Sequence, residues 1–175
     1  LNRKTLLYSH DTFGLGNIRR TLLLAEELKS QYGGGAILIV TGSPMIQAFR
    51  IPDGVDYVKL PCLDRTEAEC YQPRFLGACV DEVKQTRSAI LQNAVLGFDP
   101  DLMIVDKRAG GVDGELLPTL QALRARGSKT KLVLGLRDIL DDAARTRTVL
   151  RENHSFEIIE RFYDEVWVYG SRAIF

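Results

Sequence analysis

The spacing of apolar residues along this chain switches repeatedly between two periods, and each switch marks an element. "KTLLYS" at 4–9 is a short, nearly unbroken apolar run that fits a buried strand. From Ile18 the apolar residues fall at Ile18, Leu22, Ala25 and Leu28, the three-to-four spacing of one helical face, with Asn17 placed as its N-cap. The glycines at 33–35 stop that helix. "AILIVTG" at 36–42 is again almost continuous, as expected of a strand covered on both faces in a parallel sheet. "SPMIQAFR" then predicts a short helix, with Ser43 as cap and Pro44 in the first turn, where a missing N–H costs nothing.

The same alternation continues downstream. "VDYVKL" predicts a third strand, ended by Pro61. Residues 61–76 show no clean period and predict a long loop, of the kind that often carries function. Val80, Val83, Ile90, Leu91 and Ala94 sit at helical spacing over 79–97, and "FDPD" breaks that helix before the strand "LMIVD". A helix over 114–126 closes at Gly127, "KLVLGL" is the next strand, 139–163 reads as largely helical, and "EVWVYG" is a final strand. Apolar strands joined by crossover helices specify an α/β fold: a Rossmann-like, doubly wound parallel sheet with helices on both faces, in a single domain spanning 1–175.

In such sheets ligands gather at the carboxyl ends of the strands. That rule singles out His10, Asp11, Gly14 and Gly16 after the first strand and Thr41, Gly42 and Ser43 after the second. It adds Asp106, Lys107 and Arg108 after "LMIV", and Arg137 and Asp138 after "LVLGL".

Composition removes several function classes. The 23 basic and 23 acidic residues cancel, so no whole-chain positive field favours nucleic acid or an anionic lipid surface, and a nucleic-acid partner is not expected. Cys62, Cys70 and Cys79 are odd in number, lack a C-x-x-C pair and have no histidine nearby, which argues against a zinc site. With no signal peptide and no apolar run of transmembrane length, they favour a reducing, cytoplasmic setting. His154 is expected to be exposed, and Trp167, alternating with apolar neighbours, is expected to pack in the core.

The glycine pair at 14 and 16 lacks what a dinucleotide site needs. The third glycine of G-x-G-x-x-G is replaced by Arg19, and the second strand ends in Val40-Thr41-Gly42 with no carboxylate for a ribose. The Lys-Ser/Thr pair of a P-loop is also missing. Two readings stay open: a plain strand-to-helix turn, or a turn whose backbone approaches a ligand at the positive end of a helix.

"YSHDTFGLGNIRRTLLLAEEL" at 8–28 resembles the N-terminal signature of predicted glycosyltransferases of the two-domain GT-B type, the group related to the peptidoglycan N-acetylglucosaminyltransferase. The resemblance runs on through "VTGSP", "IPDGVDYVKLP", "DLMIVDK", "GELLPTL" and "LGLRDILDD". It implies an acceptor-binding lobe, with a C-terminal lobe of the same protein holding a nucleotide diphosphate-sugar donor. It also implies transfer without a metal or other cofactor, to a small-molecule or lipid-linked acceptor. The start at Leu1 and the stop at "GSRAIF" after a strand fit that expectation of a half-enzyme, inactive alone. No polybasic or strongly amphipathic segment requires a membrane surface.

Inverting transfer needs a base for the acceptor hydroxyl and electrostatic help for the departing diphosphate. His10 and Asp11 are the candidate catalytic residues, with Gly14, Gly16, Asn17, Asp106, Lys107, Arg137 and Asp138 as acceptor contacts. Each has a structural alternative: a hydrogen-bonded histidine at His10, a surface ion-pair network at Asp106, a helix N-cap at Asp138. Members of the resembled family usually carry histidine, in a G-x-G-H pattern, where this chain has Asn17, which hydrogen-bonds but takes up no proton near neutrality. Two further readings share the architecture: a nucleotide-sugar 2-epimerase, and a non-catalytic binding module.

Overall fold

A computed structural model of the chain describes residues 3–12, 14–32, 35–67, 70–137 and 143–170. Six parallel strands form the main sheet: β1 (Lys4–Ser9), β2 (Ala36–Thr41), β3 (Val55–Lys59), β6 (Leu102–Asp106), β7 (Lys131–Arg137) and β8 (Glu165–Tyr169). Their order is β3-β2-β1-β6-β7-β8, so the winding direction reverses between β1 and β6. Among the described residues, the α-helices connecting them are α1 (Gly16–Tyr32), α2 (Val80–Phe98), α3 (Leu117–Ala125), α4 (Ala143–Glu152) and α5 (Ser155–Phe162). The doubly wound α/β fold expected from the alternation of periods is the fold observed.

Strict alternation along the central strands builds two cores. Leu6, Tyr8, Met103, Val105, Leu132 and Leu134 point to one face and meet Leu91 and Val95 of α2, Leu120 and Leu123 of α3 and Phe162 of α5. Leu7, Ile39, Ile104 and Val133 point to the other, where Ile18, Leu22 and Ala25 of α1 cover them. Both faces of β1 and β6 are thereby buried, which explains their unbroken apolar runs. Trp167 packs against the second core, as expected.

Three local expectations change. Asn17 lies inside α1 and does not cap it, because the helix already begins at Gly16. Ser43 caps no α-helix: its Oγ accepts the Met45 amide at 3.3 Å, ahead of a single 3-10 turn at Ile46–Ala48. Residues 61–76 are not a structureless loop. They contain an antiparallel pair, β4 (Leu63–Glu67) and β5 (Cys70–Pro73), pinned by Leu63 and Tyr71 to Val83 and Val112. Among its described residues only two side chains, Leu63 and Tyr71, are buried there, too few to leave a visible period.

Candidate functional site

The strand order reverses between β1 and β6, and the carboxyl ends of strands at such a reversal are where sheets of this kind hold ligands. His10 and Asp11 leave β1 there, and Asp106 and Lys107 end or follow β6. Asp11 and Lys107 both take left-handed backbone, at φ 42° and 65°. Non-glycine residues held in that region cost on the order of 1–2 kcal/mol each, so surrounding contacts must enforce both bends.

Those contacts are visible for Asp11. Its Oδ2 accepts hydrogen bonds from Ser9 Oγ at 2.5 Å and Thr41 Oγ1 at 2.8 Å, tying the ends of β1 and β2 together. Its Oδ1 is buried with no hydrogen-bond partner. Burial raises the Asp11 carboxyl above the ordinary carboxylate range, against the opposing pull of those hydroxyls, the Ile18 amide and Arg20. His10 is covered as well, and burial together with Arg108, Lys107 and Arg87 pushes its imidazole down to about 3. It is therefore neutral at physiological pH, with Nδ1 partnerless and Nε2 lying 3.5 Å from Asn17 Nδ2.

Asn17 relays this group to the next strand. Its Oδ1 accepts from Arg20 Nη2 at 3.1 Å, and the same guanidinium grips Asp106 through Nε at 3.1 Å and Nη2 at 2.8 and 2.9 Å. Asp106 is raised by burial, held back by Arg20, and raised further by Asp11. Arg20 also lies over the Tyr169 ring, 5.8 Å from its centroid. Arg20 was not a candidate from sequence; its signal was its place one helical turn after Asn17, on the same side of α1.

The glycine loop divides in its demands. Gly14 has φ 72°, which requires glycine or a strained substitute. Gly16 has ordinary helical backbone, and a side chain there would meet nothing within 4 Å. No packing reason fixes glycine at 16; the open space above it is consistent with a ligand approaching the start of α1.

Beyond Asp106 the rim turns basic. Lys107, Arg108, Arg137 and Arg65 line a cleft of about 870 Å³, closed on its other side by Asn153, Ser155 and Ile158 around the α4–α5 turn. Burial lowers the Lys107 amine, and Arg137, Arg108 and Arg65 lower it further. Asp138 lies outside the described residues. His154, expected to be exposed, leaves 79% of its side chain in solvent.

The sequence reading missed one polar group entirely. Arg87 is fully buried on α2, where Val83, Arg87, Leu91 and Val95 form an inward stripe at every fourth residue. Its Nε and Nη2 donate to Glu115 at 2.6 and 2.7 Å, its Nη1 to the Pro61 carbonyl at 2.6 Å, and Tyr8 donates its hydroxyl to Glu115. A charge inside an apolar stripe was the available signal, since such a residue needs a buried partner.

Among the described residues no group of three or more His, Cys, Asp or Glu could hold a metal ion, and no helix is long and apolar enough to cross a membrane. No protein-family model matches the chain, and no curated protein matches it.

Proposed function

We infer that this chain is the acceptor-binding lobe of a glycosyltransferase that moves a sugar from a nucleotide diphosphate donor onto an acceptor hydroxyl, the donor being held by a second lobe. The observation that carries the reading is the meeting of His10, Asp11, Asn17, Arg20 and Asp106 in one hydrogen-bonded and charge-coupled group at the reversal of strand order. The resemblance of residues 8–28 supplies the reaction class.

In this reading Asp11 accepts the proton of the acceptor hydroxyl. Its raised carboxyl and partnerless Oδ1 suit a base better than a fully satisfied carboxylate would. Neutral His10 hydrogen-bonds the acceptor through Nδ1, and Arg20 holds Asp106 and Asn17 in place. Asp11 and His10 are nearly covered, so the strand ends must rearrange for the acceptor to reach them.

The test is acceptor-dependent release of nucleoside diphosphate by the two-lobed protein, over a panel of nucleotide-sugars. Asp11→Asn is expected to lower kcat by about 100-fold or more, with donor KM unchanged. Epimerised sugar released from the donor without any acceptor would identify a 2-epimerase instead. Tight calorimetric binding of a nucleotide-sugar to residues 1–175 alone would overturn the half-enzyme assignment. One observation favours a non-catalytic binding module: a histidine titrating at about 3 beside an asparagine leaves no strong base in the imidazole class. Asn17→His with no gain of transfer would support that second reading.

A further inference from the structure

We propose that the basic cleft between the carboxyl ends of β6 and β7 and the α4–α5 turn is a binding site for a doubly charged phosphate group, either a phosphate monoester or a diphosphate. This assignment stands apart from the glycosyltransferase reading and holds or fails whichever reaction the chain serves.

Beside Arg108, three of the four cations lining the cleft reach it from separate segments: Arg65 from the β4–β5 hairpin, Lys107 from the bend after β6, and Arg137 from the end of β7. Among the described residues none of the three is paired with a carboxylate. Among the described residues, two of the acids at the cleft are committed elsewhere. Asp106 has both oxygens on Arg20, and Asp113, which also lines the cleft, is paired with Lys84. Among the described residues lining the cleft, Glu152, the last residue of α4, is the one acid with no such pairing.

Gathering like charges in a partly buried cleft is unfavourable by itself, because each cation raises the energy of its neighbours. Lys107 records this: its amine is lowered by burial and by Arg137, Arg108 and Arg65, against the opposing pull of Asp106, on a backbone bent into left-handed geometry. A multivalent anion relieves the repulsion at all three positions, whereas one monocarboxylate would leave two cations uncompensated. Guanidinium groups match phosphate oxygens with paired N–H donors, and Asn153 and Ser155 add uncharged hydrogen-bonding groups on the opposite wall. The volume of about 870 Å³ leaves room for whatever the phosphate is attached to.

The experiment is calorimetric titration of the 175-residue chain with sodium pyrophosphate, orthophosphate and acetate at fixed ionic strength. Saturable one-to-one binding of phosphate or pyrophosphate is expected, with acetate at least about tenfold weaker than the tighter of the two. Arg65→Gln and Arg137→Gln, both on exposed side chains, should each weaken pyrophosphate binding about tenfold without shifting the thermal unfolding midpoint. Lys129→Gln, at the opposite end of the sheet before β7, should change nothing. A tighter response to pyrophosphate than to orthophosphate assigns a diphosphate, and the reverse order a monoester. Absence of saturable binding by either phosphate, equal binding of acetate, or binding indifferent to Arg65→Gln and Arg137→Gln would each overturn the proposal.

Discussion

Arg87, Glu115 and Tyr8 on one face of the sheet, and Arg20, Asp106, Asp11 and His10 at its rim, use the same chemistry to different ends. Both pair an arginine fork with a carboxylate. In the first group the arginine and carboxylate side chains are 0% and 1% exposed, the guanidinium makes three hydrogen bonds, and a third backbone segment is clamped through the Pro61 carbonyl. In the second the arginine keeps 20% of its side chain in solvent, and two buried atoms, His10 Nδ1 and Asp11 Oδ1, are left without partners. A closed polar group fixes packing. One with unsatisfied atoms and strained backbone at a strand-order reversal is what binding or chemistry requires.

The contrast is broken most forcefully by Arg87→Met. It strands the Glu115 carboxylate in the core, and a loss of about 3–5 kcal/mol in urea unfolding is expected. Adding Glu115→Leu should recover much of that loss, because the uncompensated charge is then gone.

A smaller effect separates the groups by pH. Folded His10 titrates at about 3 against an ordinary value of 6.5, so between those values the unfolded chain binds more protons. Stability should therefore fall as the pH drops from 6.5 toward 3. Asp11 and Asp106, raised in the fold, work in the opposite direction and soften the decline. His10→Gln should flatten the slope of unfolding free energy against pH in this window; an unchanged slope would show that His10 is not held neutral by burial.

Arg20→Ala comes next, at about 1.5–3 kcal/mol near pH 7, since it removes charge-assisted bonds from a buried carboxylate. Its cost should shrink as the pH is lowered and Asp106 takes up a proton, which a pH series of melting curves would show. The smallest change sharpens the comparison instead. Gly16→Ala should leave stability level or raise it by about 0.5–1 kcal/mol, because the helix gains a better former and no clash. If the open space at Gly16 admits a ligand, the same variant should weaken binding while the protein melts no lower.

Much of the fold could be read from the chain alone. A buried parallel strand must be apolar on both faces, and each helix shows one apolar face, so β1, β2, β6, β7, α1 and α2 announce themselves in order along the sequence. The strand-end rule then points to His10, Asp11, Asp106, Lys107 and Arg137 before any coordinates are known. The β4–β5 hairpin stayed hidden, because its few buried side chains pack on a satellite cluster and leave the strands without a period.

Which polar residues pair with which was not encoded in any local pattern. Arg20 meets Asp106 across 86 positions, Arg87 meets Glu115 across 28, and Tyr8 meets Glu115 across 107. Periodicity reports only whether a position faces the core or solvent. The partner of a buried charge, and the crowding of Arg65, Lys107 and Arg137 around one cleft, are set by how sheet and helices close in three dimensions.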